Sequence, residues 1–304
     1  MGIADVLDDV RAQRQDSEFL LPLLLENLYS SREVPPPGPD TWFSISKAPV
    51  LCPRAMVMVN RLRVPMVDEV DALGRWRMDK GTAMHAVIQE LWLGPLGWLL
   101  GGWRCPACGH VHGTDFETEP PFWIADRATW VTPQTSVKMP DECSQCEFKN
   151  HPMEPFHYVE PWVHDPHLKV RGRTDGLLKL PAYYPEFLDI KTTGNLDRVR
   201  TAPWPADVTQ LQWYMGPSKC RRGRLLYVNP GAKTLEEGVV EHKVSFDPKL
   251  MHKEKEKFRG LREALADKTK PIPDCPYGGK SPYGECNCVE VAMLWASNGG
   301  RPIT

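Results

Sequence analysis

Apolar residues recur at helical spacing over 3–29, where Val6 and Val10 are followed by Phe19, Leu20, Leu23, Leu24 and Leu28, and this predicts a helical segment. The proline-rich stretch 35–39 stops it and serves as a stiff connector. A second helix is predicted to begin near Cys52 and Pro53, and a third spans 80–93, ended by Gly94 and Pro95. Residues 167–180 and 186–192 read as strands joined by a turn through Pro181 and Pro185. A helix over 206–215 follows, then strands over 224–229 and 238–246, the second with Val240, Val244 and Phe246 on one side. Residues 249–266 are amphipathic, with Phe258, Leu261 and Leu265 sharing a face. Helix, strand, strand, helix, strand is the order of an α/β fold, a mixed central sheet flanked by helices.

Residues 101–160 break these periods. They are rich in Gly, Pro, Cys and Trp and read as an inserted module. The chain thus divides into a helical segment and linker (1–40), a main domain (41–100 and 161–304) and the insertion (101–160). With 304 residues, 41% of them hydrophobic, it can bury a substantial core. No run approaches the roughly 18 apolar residues that span a bilayer, and the first residues lack the pattern of a secretory signal. A cytoplasmic protein without a membrane partner is expected. A net charge of −2 provides no global basic field, so a nucleic-acid partner must be argued from a site.

The nine cysteines change the picture. An odd count in such a chain favours metal sites over disulfides. Cys105-x-x-Cys108 and Cys143-x-x-Cys146 have the form of a zinc ribbon, four thiolates closing a structural Zn²⁺ site, with His110 and His112 nearby as substitutes. The loop-rich surroundings offer no core in which these cysteines could simply be buried. Cys220 lies among Arg221, Arg222 and Arg224, which form either a phosphate contact or a solvated turn.

Three pieces carry chemistry. His85 ends Gly81-Thr-Ala-Met-His85, Asp175 closes the strand-like run from Val170, and Asp189 and Lys191 flank Ile190. Positions i and i+2 of a strand project to one face, so Asp189 and Lys191 meet the same site. Two carboxylates and an imidazole can hold Mg²⁺ or Mn²⁺ with waters in the remaining positions. Such an ion acidifies a bound water and neutralises phosphodiester charge, while a lysine orients that water. The bland alternatives are a charged strand edge for Asp189 and Lys191, a structural His85, an ordinary helix face for Gln210 and Tyr214, and a solvated Glu90.

Asp175 with Asp189-x-Lys191 resembles the PD-(D/E)XK nuclease motif, and Gly81-x-x-x-His85 and Gln210-Leu-Gln-Trp-Tyr214 resemble the flanking motifs of its RecB-type branch. Ser44-x-Ser46 leading to Cys52-Pro-Arg, with the late cysteines, is similar to the CRISPR-associated iron–sulfur exonucleases and their phage relatives. The resemblance implies a restriction-endonuclease-like core and a DNA exonuclease acting at free ends, with single-stranded DNA favoured and a homo-oligomer possible. It implies His85, Asp175, Asp189 and the Ile190 carbonyl as ligands of the catalytic ion, with Lys191 activating water and Gln210 and Tyr214 supporting site or DNA. It further implies that Cys52, Cys275, Cys286 and Cys288 hold a [4Fe-4S] cluster. The alternative for this quartet is a mixture of zinc ligands and free thiol. For function, the alternatives are a structure-specific endonuclease of the same fold and a catalytically weak, zinc-containing DNA-binding adaptor.

Overall fold

A computed structural model describes residues 29–63, 66–113, 138–179, 185–218, 220–281, 284–286 and 288–297. The helix expected over 3–29, apart from Tyr29, lies outside them, as does the turn at Pro181. In chain order the strands are β1 (Ser30–Val34), β2 (Phe43–Ser44), β3 (Met66–Val70), β4 (Gly102–Arg104), β5 (Val111–Gly113), β6 (His157–Val159), β7 (Trp162–Asp165), β8 (Val170–Arg173), β9 (Gly176–Leu178), β10 (Glu186–Thr192), β11 (Arg222–Val228), β12 (Val239–Ser245), β13 (Lys280–Ser281) and β14 (Gly284–Glu285). The helices used below are α1 (Pro53–Leu62), α2 (Ala72–Ala86), α3 (Pro205–Ser218), α4 (Pro248–Ala266) and α5 (Cys288–Ser297).

The fold is α/β. Its central sheet is mixed, in the order β12–β11–β10–β9. β10 is buried from Glu186 to Ile190, the continuous burial expected of a strand covered on both faces. It pairs parallel to β11, with Asp189 opposite Leu225, and the crossover that a parallel pair requires is made through α3. On its other edge β10 pairs antiparallel to β9, with Leu188 opposite Gly176. Strand alternation sends Phe187 into the larger core with Trp213, Tyr214 and Phe258. Leu188 and Ile190 go into a second cluster with Trp103, Cys105, Cys143 and Phe156. A separate three-stranded sheet, β2–β8–β7, adjoins the site. There Gly172 is required, because a Cβ would stand 2.8 Å from that of Ile45.

Four expectations are corrected. The strand expected over 167–180 is a turn followed by β8 and β9, broken where the Thr174 hydroxyl leaves the ladder to donate to the Leu188 carbonyl (2.9 Å). The helix expected over 80–93 starts eight residues earlier, at Ala72, where the Asp71 carboxylate caps the Gly74 N–H. Its first turns show no apolar stripe because α2 buries none of its residues; beyond it, Val87–Leu93 widens into a π-helix. The stretch 101–160 contains the β5–β4–β6 sheet and packs into a core shared with β9 and β10, with Trp103 and Phe156 fully buried and Cys105 and Cys143 each 1% exposed. Burying Phe156 alone stabilises by roughly 2–3 kcal/mol. Finally, Glu90 is buried rather than solvated: it accepts from the Tyr158 N–H (3.3 Å) and pairs with His157 Nδ1 (3.1 Å), tying the π-helix to β6.

Candidate active site

The break between β8 and β9 places Asp175 beside β10. Its Oδ2 accepts the Ile190 N–H at 2.5 Å, and its Oδ1 lies 3.4 Å from His85 Nδ1. His85 Nε2 stands 3.0 Å from the Ile190 carbonyl oxygen, which can only accept, so this nitrogen carries the proton. One turn further along, Gln89 Nε2 donates to Glu160 Oε1 (3.0 Å) and to the Asp175 carbonyl (2.6 Å). His85, Glu160 and Asp175 each offer a ligand atom within 4.8 Å of the others. The π-helix that carries Gln89 begins just after His85, and such widened turns concentrate at functional sites.

Asp189 and Lys191 share the face of β10 that looks toward α3. Lys191 Nζ donates to Asp189 Oδ1 (3.2 Å) and to Gln210 Oε1 (2.9 Å). Gln210 Nε2 donates onward to Asp189 Oδ1 (3.2 Å) and to the Tyr214 hydroxyl (3.1 Å). The Tyr214 hydroxyl in turn donates to the Arg173 carbonyl (2.6 Å). The helical spacing of Gln210 and Tyr214 therefore binds α3 to both β10 and β8. Asp189 Oδ2 faces the ammonium at 3.0 Å but is buried without a well-aligned donor. The two carboxylates and one imidazole of Glu160, Asp175 and His85 fit a hard divalent cation, whereas Asp189 lies outside that set and pairs with Lys191.

Proton affinities follow from this crowding. Burial, helped by Asp175 and opposed by Lys191, pushes the Asp189 carboxyl up to about 7. Burial and the charge of Asp175 also raise Glu160. Burial works against the His85 imidazolium, yet the Asp175 carboxylate outweighs it and the shift is upward. Burial likewise opposes the Lys191 ammonium, and Asp189, Asp175 and Asp207 outweigh it.

The cysteines gather into two quartets. Cys105, Cys108, Cys143 and Cys146 come from two matching turns: the Gly109 N–H returns to the Cys105 carbonyl and the Glu147 N–H to that of Cys143, each at 2.9 Å. Gly109 and Glu147 hold the same left-handed position, at φ 75° and 59°. The Cys105–Cys146 and Cys108–Cys143 sulfurs are 3.7 Å apart, close to the ~3.8 Å edge of a tetrahedron with zinc–sulfur bonds of ~2.3 Å. Burial opposes the Cys143 thiolate, but the Gln145 N–H, His112 and other donors lower it to about 5. His112 Nε2 lies 3.4 Å from that sulfur, whereas His110 stacks edge-on against His112. This donor set fits a structural metal. In the second quartet, Cys52 at the start of α1 meets Cys275, Cys286 and Cys288, all four sulfurs within 4.8 Å of one another. This all-thiol set also fits a metal centre. Cys220 belongs to neither; its thiol is buried against the Pro185 and Arg222 carbonyls. Arg224 pairs with Glu186 and Glu241.

Of the expected ion ligands, the structure groups His85 and Asp175 with Glu160 and leaves Asp189 paired with Lys191 beside them; two neighbours, Glu160 and Gln89, were missed. Glu160 follows the insertion with no motif around it; its only signal is an acid within the apolar run Tyr158-Val-Glu-Pro-Trp162. Gln89 could have been found from its position four residues after His85. No protein-family model matches the chain, and no curated protein does. Among solved structures, an alkaline exonuclease (LHK-Exo) from Laribacter hongkongensis aligns at 12% identity and a TM-score of 0.30, over 46% of this chain and 60% of that one. This chain thus spans less than two thirds of that neighbour's length. SSO0001 aligns at 12% identity and a TM-score of 0.36 over 86% of both chains. A phage-related exonuclease from Haemophilus somnus 129PT aligns at 14% identity and a TM-score of 0.26, over 32% of this chain and 54% of that one.

Proposed function

We propose that this chain is a divalent-metal-dependent deoxyribonuclease of the RecB type, with a restriction-endonuclease-like core, that hydrolyses DNA from free ends and favours single strands. One observation carries the reading: Asp175, Glu160 and His85 converge beside a buried Asp189–Lys191 pair whose Asp189 Oδ2 lacks an aligned donor. His85, Glu160, Asp175 and Asp189 would hold Mg²⁺ or Mn²⁺, with the Ile190 carbonyl adjoining them. The ion would supply an acidified water and neutralise charge on the phosphodiester. The protein's own residues do the rest. Lys191 places a positive charge where negative charge develops, Gln210 holds Lys191 and Asp189 in register, and Tyr214 anchors Gln210 to β8. The Cys105 quartet would bind Zn²⁺.

The test is digestion of end-labelled linear and closed circular DNA with Mg²⁺, Mn²⁺ or no added cation. Metal-dependent shortening of linear DNA, with circles left intact, is expected. Cutting of circles would convert the reading to an endonuclease. Absence of cleavage by folded, metal-loaded protein would leave the DNA-binding adaptor.

The acidic site also makes a stability prediction. Asp189, Glu160 and His85 all bind protons more tightly in the folded chain. Without a divalent ion, stability should therefore fall as pH rises from about 4 to about 7, by on the order of a few kcal/mol. Magnesium, which selects the ionised carboxylates, should stabilise more at pH 7 than at pH 5. Calorimetry at both pH values with and without the ion checks this; a stabilisation by Mg²⁺ that is independent of pH would contradict it.

For the clasp of Cys52, Cys275, Cys286 and Cys288 the resemblance favours a [4Fe-4S] cluster. A single tetrahedral ion is the second reading, and the spacing favours it: no two sulfurs are more than 4.8 Å apart, whereas the thiolates of a cubane each bind their own iron and stand farther apart than ligands sharing one ion.

A further inference from the structure

We propose that the outer face of the β2–β8–β7 sheet is a stacking track that leads a single strand of nucleic acid to the acidic site. The inference deepens the nuclease reading of that site and rests on it.

Alternation along the two strands creates the face. Val163 and Val170 point into the core, 1% and 0% exposed, which turns Trp162 and His164 of β7 and Arg171 and Arg173 of β8 outward. Register then sets Trp162 opposite Arg173 and His164 opposite Arg171. The Arg171 guanidinium bridges two indoles, 5.5 Å from the ring centre of Trp42 and 5.6 Å from that of Trp162. The Arg173 guanidinium lies 4.8 Å from the Trp162 ring. Trp42, Arg171, Trp162 and Arg173 therefore alternate ring and cation, and Trp42 is 38% exposed at the outer end.

The inner end joins the chemistry directly. The Arg173 carbonyl accepts the Tyr214 hydroxyl, and Asp175 follows two residues later. A cluster of carboxylates repels a phosphodiester, and two arginines beside it provide the complementary charge. Indole faces and guanidinium planes stack on unpaired bases, which a duplex keeps hidden. A single strand uses both halves of this track; a duplex uses only its charge.

The test measures fluorescence anisotropy of a labelled oligo(dT) and of a duplex of equal length, using the full chain carrying Lys191→Ala without added divalent ion. Adding Trp162→Leu with Arg171→Gln should weaken oligo(dT) binding at least tenfold and duplex binding less than threefold. Trp42→Leu and Arg171→Lys, both at exposed positions, guard against misfolding of the first variant. Each should weaken oligo(dT) binding several-fold with the melting temperature unchanged. Unaltered oligo(dT) binding, or equal losses for both DNAs, would overturn the track. If strip-dependent oligo(dT) binding is found in a protein that cleaves nothing, the track stands while the nuclease reading falls. Strip-independent binding in an active nuclease gives the converse.

Discussion

Lys191→Ala should lower metal-dependent DNA shortening by about 10³-fold, the scale on which one positioned electrostatic or proton-transferring group contributes. The expectation follows from what Lys191 touches. Its ammonium sits 3.0 Å from Asp189 Oδ2 and 2.9 Å from Gln210 Oε1, so it holds together the acid and the amide that link β10 to α3. Three carboxylates keep its proton tightly bound, which makes positive charge its principal contribution. Removing one partner of a buried pair ordinarily costs about 3–5 kcal/mol. Here Asp189 already takes up a proton near pH 7, which limits the damage. The variant should remain folded by circular dichroism while cleavage disappears. Cleavage by folded Lys191→Ala within tenfold of wild type would remove Lys191 from the mechanism.

The second large effect is on stability. Cys286→Ser should empty the clasp and either lower the melting temperature by on the order of 20 °C or prevent soluble folding. A structural thiolate-bound metal contributes roughly 10–16 kcal/mol, as much as the entire net stability of a typical domain. In this chain the contribution would fall at a junction. Cys52 begins α1 and Cys288 begins α5, and the Tyr277 hydroxyl bonds the Pro49 carbonyl across the same seam (2.6 Å). Elemental analysis of the intact protein distinguishes the two readings of the centre. Four irons and one zinc per chain, with the brown colour of iron–sulfide charge transfer, indicate the cluster; two zincs and no iron indicate a single ion. Cys220→Ser serves as control and should leave metal content unchanged, because that thiol is buried against the Pro185 and Arg222 carbonyls and belongs to neither quartet.

Much of this was legible in residue order because the relevant rules are local. An i, i+2 pair on a strand places Asp189 and Lys191 together, a helical turn aligns Gln210 with Tyr214, and two short Cys-x-x-Cys turns supply the four thiols of one quartet. The illegible parts depend on distant chain. Glu160 reaches the site only because β6 and β7 return from the insertion beside the π-helix. Glu90 is buried only because His157 and Tyr158 come to cover it. The start of α2 is marked by a cap and not by periodicity, since Leu73, Trp76 and Met78 remain exposed. The insertion has a core because it borrows Leu188 and Ile190 from the back of β10, a partnership that no period within 101–160 encodes.

The clasp also has a place in time. Cys52 leaves the ribosome long before Cys275, Cys286 and Cys288, a delay on the order of tens of seconds at ordinary synthesis rates. Asp175, Asp189 and Lys191 all emerge within that interval, so β9 and β10 can pair before Cys52 meets its three partners. Meanwhile the Cys52 thiol waits without its three partners. On the proposal that this quartet holds a metal, its assembly requires the Cys52 thiol to stay reduced until Cys275, Cys286 and Cys288 arrive.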